Sequence, residues 1–287
     1  MSLLLEMLRP SFLLRDALVG SILVGAVCPL VGVYFVLRRM IFLGVALPQL
    51  SAAGIAFAFL AYRTVVGAHH HLEVGERVLA VLGSSGFTLA GILVLAAFER
   101  RGKETVEARI GATYGVAGAL TILFLAADPL GEAQMVNLLK GDLLATTGAG
   151  LTVLAVVFAA VAAALFAFRK EFLLVSFDRD LAIVFGKRAA TWDTLLYLIS
   201  GVTISFGVMT AGPVVTFGFL VIPPLTARLV TRHMLAFSLA SSAIGGLSSF
   251  AGFYCAYRFD LPLGPAEVAV ASLVLSLAAV GSRFVKP

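Results

Sequence analysis

The feature that most constrains this chain is the recurrence of uncharged apolar runs, each about as long as a bilayer is thick. Ala17 to Leu37, Met40 to Tyr62, Val78 to Phe98, Ile110 to Ala127, Leu143 to Phe168 and Met234 to Tyr257 are such runs, close to the roughly 20 residues that cross a hydrocarbon core as helix. With no water at that depth, backbone N–H and C=O groups must pair within their own segment, so each run is predicted to be helical. The expected fold is all-α, a polytopic transmembrane bundle. Composition agrees, at 60% hydrophobic and 13% charged residues with a mean hydropathy of +1.03, outside the range of soluble domains. No polar block is long enough to fold alone, so residues 1–287 read as a single transmembrane domain. The opening Met1 to Arg15 mixes Glu6, Arg9 and Arg15 with Leu and Phe, which suits a short interfacial helix better than a removable leader. Cys28 and Cys255 lie inside apolar runs and read as packing residues.

One run is too long for a single crossing. Thr194 to Ala227 carries no charge and would extend about 50 Å as one helix. Gly212-Pro213 sits in its middle and is predicted to break it into two short passes. With a last pass from Ala266 to Ser282 the count is about nine. The net charge of +5 sorts by loop, which argues against a nucleic-acid partner. Arg38 and Arg39, then Arg100, Arg101, Lys103 and Arg109, then Arg169, Lys170, Arg179, Lys187 and Arg188 follow alternate passes. The positive-inside rule puts those loops in the cytoplasm, the amino terminus outside and the carboxyl terminus inside. Glycines at Gly20, Gly25 and Gly32, and at Gly111, Gly115 and Gly118, suit close helix packing.

Enzymatic signatures are missing from the sequence: it has no phosphate-binding loop, no Gly-x-Ser-x-Gly and no His-Glu-x-x-His. No catalytic residue and no cofactor is expected, and any ATP that drives this protein must bind a separate subunit. Ionisable groups at membrane depth read as scarce, which counts against a proton relay. A non-ABC channel or carrier stays open on composition alone.

The most informative polar segment runs from Phe177 to Lys187, after the fifth run. Asp178 is placed to cap a short helix with Asp180 in its first turn, stopping at Gly186. Leu181, Ala182 and Phe185 are expected on its exposed face, making a compact amphipathic knob. A solvated interhelical loop is the alternative.

Several stretches, in order, resemble the permease family of zinc, manganese and iron ABC importers. Gly32 to Gly44, containing Arg38-Arg39-Met40, is similar to that family's arginine-arginine-methionine passage, and Phe177 to Gly186 to its coupling helix. Asn137 to Thr146, Leu220 to Arg228 and Asp260 to Pro265 are further matches. The resemblance implies a type II importer fold in the bacterial cytoplasmic (inner) membrane. It also implies a homodimer of permeases in lipid, cytoplasmic ATP-binding subunits below and an extracytoplasmic solute-binding protein above. Phe177, Asp178, Asp180, Leu181, Ala182, Phe185 and Gly186 would then couple ATP hydrolysis to opening.

The same resemblance points to a substrate pathway on the second pass. After Phe-Leu-Gly the family places an aspartate and, four residues later, a histidine. Here those positions hold Val45 and Gln49, with Pro48 beside them. Valine offers no ligand and glutamine only a neutral carbonyl oxygen. Two cargoes stay open: a divalent metal ion (zinc, manganese or iron), or a metal chelate or other small solute. Pro48 is expected to interrupt the second pass and free the Gly44 carbonyl. His69, His70 and His71 form the only histidine cluster, in a loop assigned to the outside, and are the candidate metal ligands.

Overall fold

The apolar runs fold as helices with the boundaries that their flanking charges and turns impose. The computed structural model describes residues 7, 12, 14–66, 73–101, 106–128 and 148–285. In chain order the long helices are α1 (Arg15–Leu37), α2 (Leu43–Val66), α3 (Glu73–Arg101), α4 (Val106–Ala127) and α5 (Gly148–Ala167). Two short helices follow, α6 (Arg169–Phe177) and α7 (Arg179–Val184), then α8 (Ala189–Ala211), α9 (Pro213–Val230), α10 (Met234–Phe259) and α11 (Leu263–Val285). Nine of them are long and apolar enough to cross a membrane among the described residues. The predicted break is present: α8 ends and α9 begins at Gly212, whose φ of 83° is a conformation that side-chain-bearing residues avoid, and Pro213 takes the first helical position. The stretch Asn137 to Thr146 and most of Met1 to Arg15 lie outside the described residues.

Helix α1 forms the centre of the bundle, packed against α10, α9, α5 and α8, while α2 packs against α3, α4 and α9. Small residues set the closest crossings. A Cβ added at Gly245 of α10 would stand 1.9 Å from the Gly25 carbonyl oxygen of α1, and one at Gly54 of α2 would stand 2.1 Å from that of Gly83 in α3. Backbones pressed so close gain dispersion that larger side chains would prevent. Gly111 and Gly115 of α4 behave differently, because an added Cβ there meets nothing within 4 Å in this chain.

Helix α1 ends in a Schellman turn that sequence reading did not foresee. The Met40 N–H donates to the Phe35 carbonyl at 2.9 Å and the Arg39 N–H to that of Val36 at 3.3 Å, with Arg39 at a φ of 57°. The chain thereby reverses in five residues and α2 starts beside α9. The proline expectation needs correcting. Helix α2 runs unbroken through Pro48, its sixth residue, as α1 does through Pro29: inside a packed bundle one proline costs the hydrogen bond its missing N–H would have given the carbonyl four residues back, here that of Gly44, without ending the helix.

Ionisable groups are expected to be scarce at depth, and a buried carboxyl group is present. Glu267, one turn into α11, is fully buried and accepts a short hydrogen bond from Ser21 of α1, whose hydroxyl also lies 2.5 Å from that of Ser249 in α10. Gly252 makes room for it, since a Cβ there would be 2.4 Å from the Glu267 Cα. This carboxyl group ties three helices together.

Candidate functional site

Gln49 projects from α2 into a cavity of about 360 Å³. The opposite wall is α4, which contributes Tyr114, Gly115, Gly118, Thr121 and Leu125, and Pro213 at the start of α9 closes one side. Gln49 lies against α4 at Gly118, where an added Cβ would make an ordinary 3.7 Å contact with the amide nitrogen. The polar groups facing the cavity are an amide, a phenol and a threonine hydroxyl. Thr121 already donates to the Ala117 carbonyl at 2.8 Å. Among the described residues the lining thus carries no formal charge. Val45 and Pro48 sit one turn and one residue before Gln49, Val45 half-buried and Pro48 buried, and neither lines the cavity. Four-residue spacing places Val45 and Gln49 on one helix face, as expected, but the approach of α4 decides which of them meets the open space. Among the described residues no three His, Cys, Asp or Glu side chains converge. His69, His70 and His71 lie outside the described residues.

The knob after α5 has the caps that its sequence announces. Asp178 adopts an extended conformation, and its carboxylate accepts from the Leu181 N–H at 2.9 Å. Asp180 occupies the first turn. At the other end Gly186, with φ 71°, closes a second Schellman turn: the Lys187 N–H donates to the Ala182 carbonyl at 3.0 Å and the Gly186 N–H to that of Ile183 at 2.9 Å. The exposed face differs from expectation at one residue. Ala182 is 0% exposed, packed with Val175 of α6 and with Ala189 and Trp192 of α8. Only six residues long, α7 must put one side on the protein, and Ala182 is the residue small enough to sit against Trp192. The outward residues are Leu181, Ile183, Val184 and Phe185, with Phe177 just before the helix; Val184 is 81% exposed and Phe185 66%.

The knob stands on a rigid seat. Phe168, Phe172 and Trp192 form a cluster with ring centroids 5.4 to 6.3 Å apart, and Tyr34 of α1 meets Phe172 edge-on at 5.8 Å. Arg38 locks three elements. Its guanidinium donates to Asp193 of α8 at 2.7 Å and to the Ser176 hydroxyl of α6 at 2.9 Å, and lies over the Tyr197 ring at 5.9 Å. Arg179 of α7 adds a longer ion pair to the same carboxylate at 3.6 Å. Asp193 and Ser176 escaped sequence reading. The available signal was a lone acid just before a long uncharged run, which needs a buried cationic partner.

Residues 11–282 match the family described as the ABC 3 transport family. The chain is 25% identical over 276 residues to the manganese transport system membrane protein MntC of Listeria monocytogenes, covering 96% of this chain and 93% of the relative. It is 24% identical over 282 residues to the manganese import system permease protein ScaB of Streptococcus gordonii, covering 96% and 91%. Among solved structures, PsaBC from Streptococcus pneumoniae in complex with Fab has the same fold, with a TM-score of 0.80 at 22% identity, over 96% of this chain and 93% of that one.

Proposed function

The chain belongs to the ABC 3 transport family, a multi-pass membrane transport subunit, and from that premise we propose that it is the permease of an ATP-driven importer of divalent metal ions. Residues 1–287 act as one transmembrane domain, with the amino terminus outside and the carboxyl terminus in the cytoplasm. The observation that carries the reading is the α7 knob. It presents Leu181, Ile183, Val184 and Phe185 to water on a capped, ion-paired seat, at the end that cationic loops assign to the cytoplasm. An apolar helix tip held this rigidly suits insertion into a groove of a separate ATP-binding subunit. Phe177, Asp178, Asp180, Leu181, Phe185 and Gly186 keep the coupling role assigned from sequence. Ala182 supports the knob from beneath.

Metal as cargo is supported by relatives named for manganese transport. A homodimer is supported by α4, of whose membrane window only 17% is buried in this chain against 78% for α1, and whose Gly111 and Gly115 have open space before them. Two α4 helices meeting there would put two Gln49 cavities beside a shared axis. The uncharged lining favours a second reading of the cargo, a metal chelate that brings its own ligands.

The test is reconstitution of the permease in liposomes with its ATP-binding and solute-binding partners. ATP-dependent uptake of manganese or zinc ions is the expected result. Uptake only of a chelated metal selects the second reading, and flux that ignores ATP overturns both.

A further inference from the structure

We propose that the groove between α1, the α5–α6 junction and α10 binds one anionic phospholipid of the adjoining leaflet, phosphate to cations and acyl chain to floor. The groove encloses about 280 Å³. Arg169 and Lys170 stand at its mouth, immediately after the apolar α5, where the hydrocarbon core gives way to headgroups. Neither forms an ion pair among the described residues, and the neighbouring carboxylate of Glu171 is engaged by Lys187 at 3.5 Å. Among the described residues no acidic side chain lines the groove. Below the mouth its walls are mainly apolar, with Leu165 and Phe166 on α5, Leu235 on α10 and Leu30 on α1, while the Ser238 hydroxyl is turned to the Met234 carbonyl at 3.2 Å.

Leu30 lies seven residues before the end of α1, about 10 Å below it. The groove therefore runs from headgroup depth into acyl-chain depth. A soluble anion would use the mouth and leave the floor empty; a phosphodiester with an acyl chain uses both. Paired cations above an apolar slot between transmembrane helices are suited to that ligand. The inference rests on this end of the bundle lying at a membrane surface, and not on the identity of the transported cargo.

Native mass spectrometry of the delipidated full-length protein, titrated with phosphatidylglycerol or phosphatidylcholine, reads the occupancy directly. Phosphatidylglycerol should bind at least about tenfold tighter than phosphatidylcholine, and Arg169→Ala with Lys170→Ala should weaken phosphatidylglycerol binding by about twenty-five-fold, at roughly one factor of five per cation. Arg232→Ala, an exposed cation outside the groove, should change nothing. Leu235→Trp keeps both cations and fills the slot, so it should weaken lipid binding while inorganic phosphate fails to compete. Equal binding of the two lipids, an unaltered Arg169/Lys170 variant, an unaltered Leu235→Trp variant or full displacement by millimolar phosphate each overturns the proposal. Since Leu235 is exposed, Leu235→Trp keeps the test decisive even where the double alanine variant folds poorly.

Discussion

The α7 knob and the Gln49 cavity solve opposite problems with the same kinds of helix end. At the knob every anchoring contact is directional: a carboxylate cap, a glycine stop, an arginine shared between Ser176 and Asp193, and aromatic edges around Trp192. At the cavity the walls are small residues and neutral groups, with α4 resting on α2 through Gly118 and carrying most of its surface outside the chain. On the proposed reading the knob passes force to a partner, and such a part gains from fixed geometry. A wall that must admit and release a cargo loses by it, because each strong contact deepens one state against the other. The difference predicts that the knob fails by losing charge complementarity or apolar fit, and the cavity by gaining ligands.

The largest effect is expected at the knob tip. Val184→Asp with Phe185→Asp places charge where a partner groove would bury it, and both side chains are free of the protein's own core, so the permease should stay folded. Co-purification with the ATP-binding subunit should fall by about a hundredfold or more; retention of the partner with normal stimulated hydrolysis would remove the docking role.

Next comes the seat. Asp193→Ala leaves the mostly buried Arg38 without its counter-charge and should cost about 3 kcal/mol, seen as a large fall in thermal midpoint in detergent, whereas Arg38→Met with Asp193→Leu should recover most of it. If the double variant is no better than the single one, desolvated charge is not what the contact manages.

The cavity should respond by gaining function. Val45→Asp with Gln49→His supplies an anion and an imidazole to a face that has neither, and calorimetric titration should find zinc or manganese bound roughly tenfold or more tighter than by the parent. Since only Gln49 lines the cavity, Gln49→His alone should deliver the larger share. Tight metal binding by the unaltered protein, lost on Gln49→Ala, would mean that the neutral lining is no obstacle.

The smallest effects compare the two Schellman turns. Gly186→Ala should destabilise by about 1 kcal/mol, because alanine resists the left-handed conformation, and Arg39→Gly should stabilise by a similar amount. Chemical denaturation in detergent would check both, and a fall in stability for Arg39→Gly would show that this side chain contributes more than its backbone costs.

Topology was the most legible part of the sequence, since bilayer thickness imposes a length on every pass and Gly212-Pro213 can only be a break. The caps at Asp178 and Gly186 were legible because capping is local. What stayed hidden depends on contacts between distant segments. A six-residue helix has too few turns to declare its inner face, so the burial of Ala182 was set by Trp192, a residue outside the helix. Val45 and Gln49 share a face, yet the position of α4 selected one of them. Nothing local to its own segment marks Glu267 as buried; it is the missing Cβ of Gly252 on another helix that lets α11 carry it inward.

One element touches both regions. Helix α8 begins beside the knob, where Trp192 and Asp193 meet α6 and α7, and ends at Gly212, next to the proline that closes the cavity. Its length is about 35 Å at 1.5 Å per residue, and it is continuous throughout. A push at the knob would therefore be carried as a rigid-body movement of α8 as far as Gly212, where the left-handed joint lets α9 take a different course.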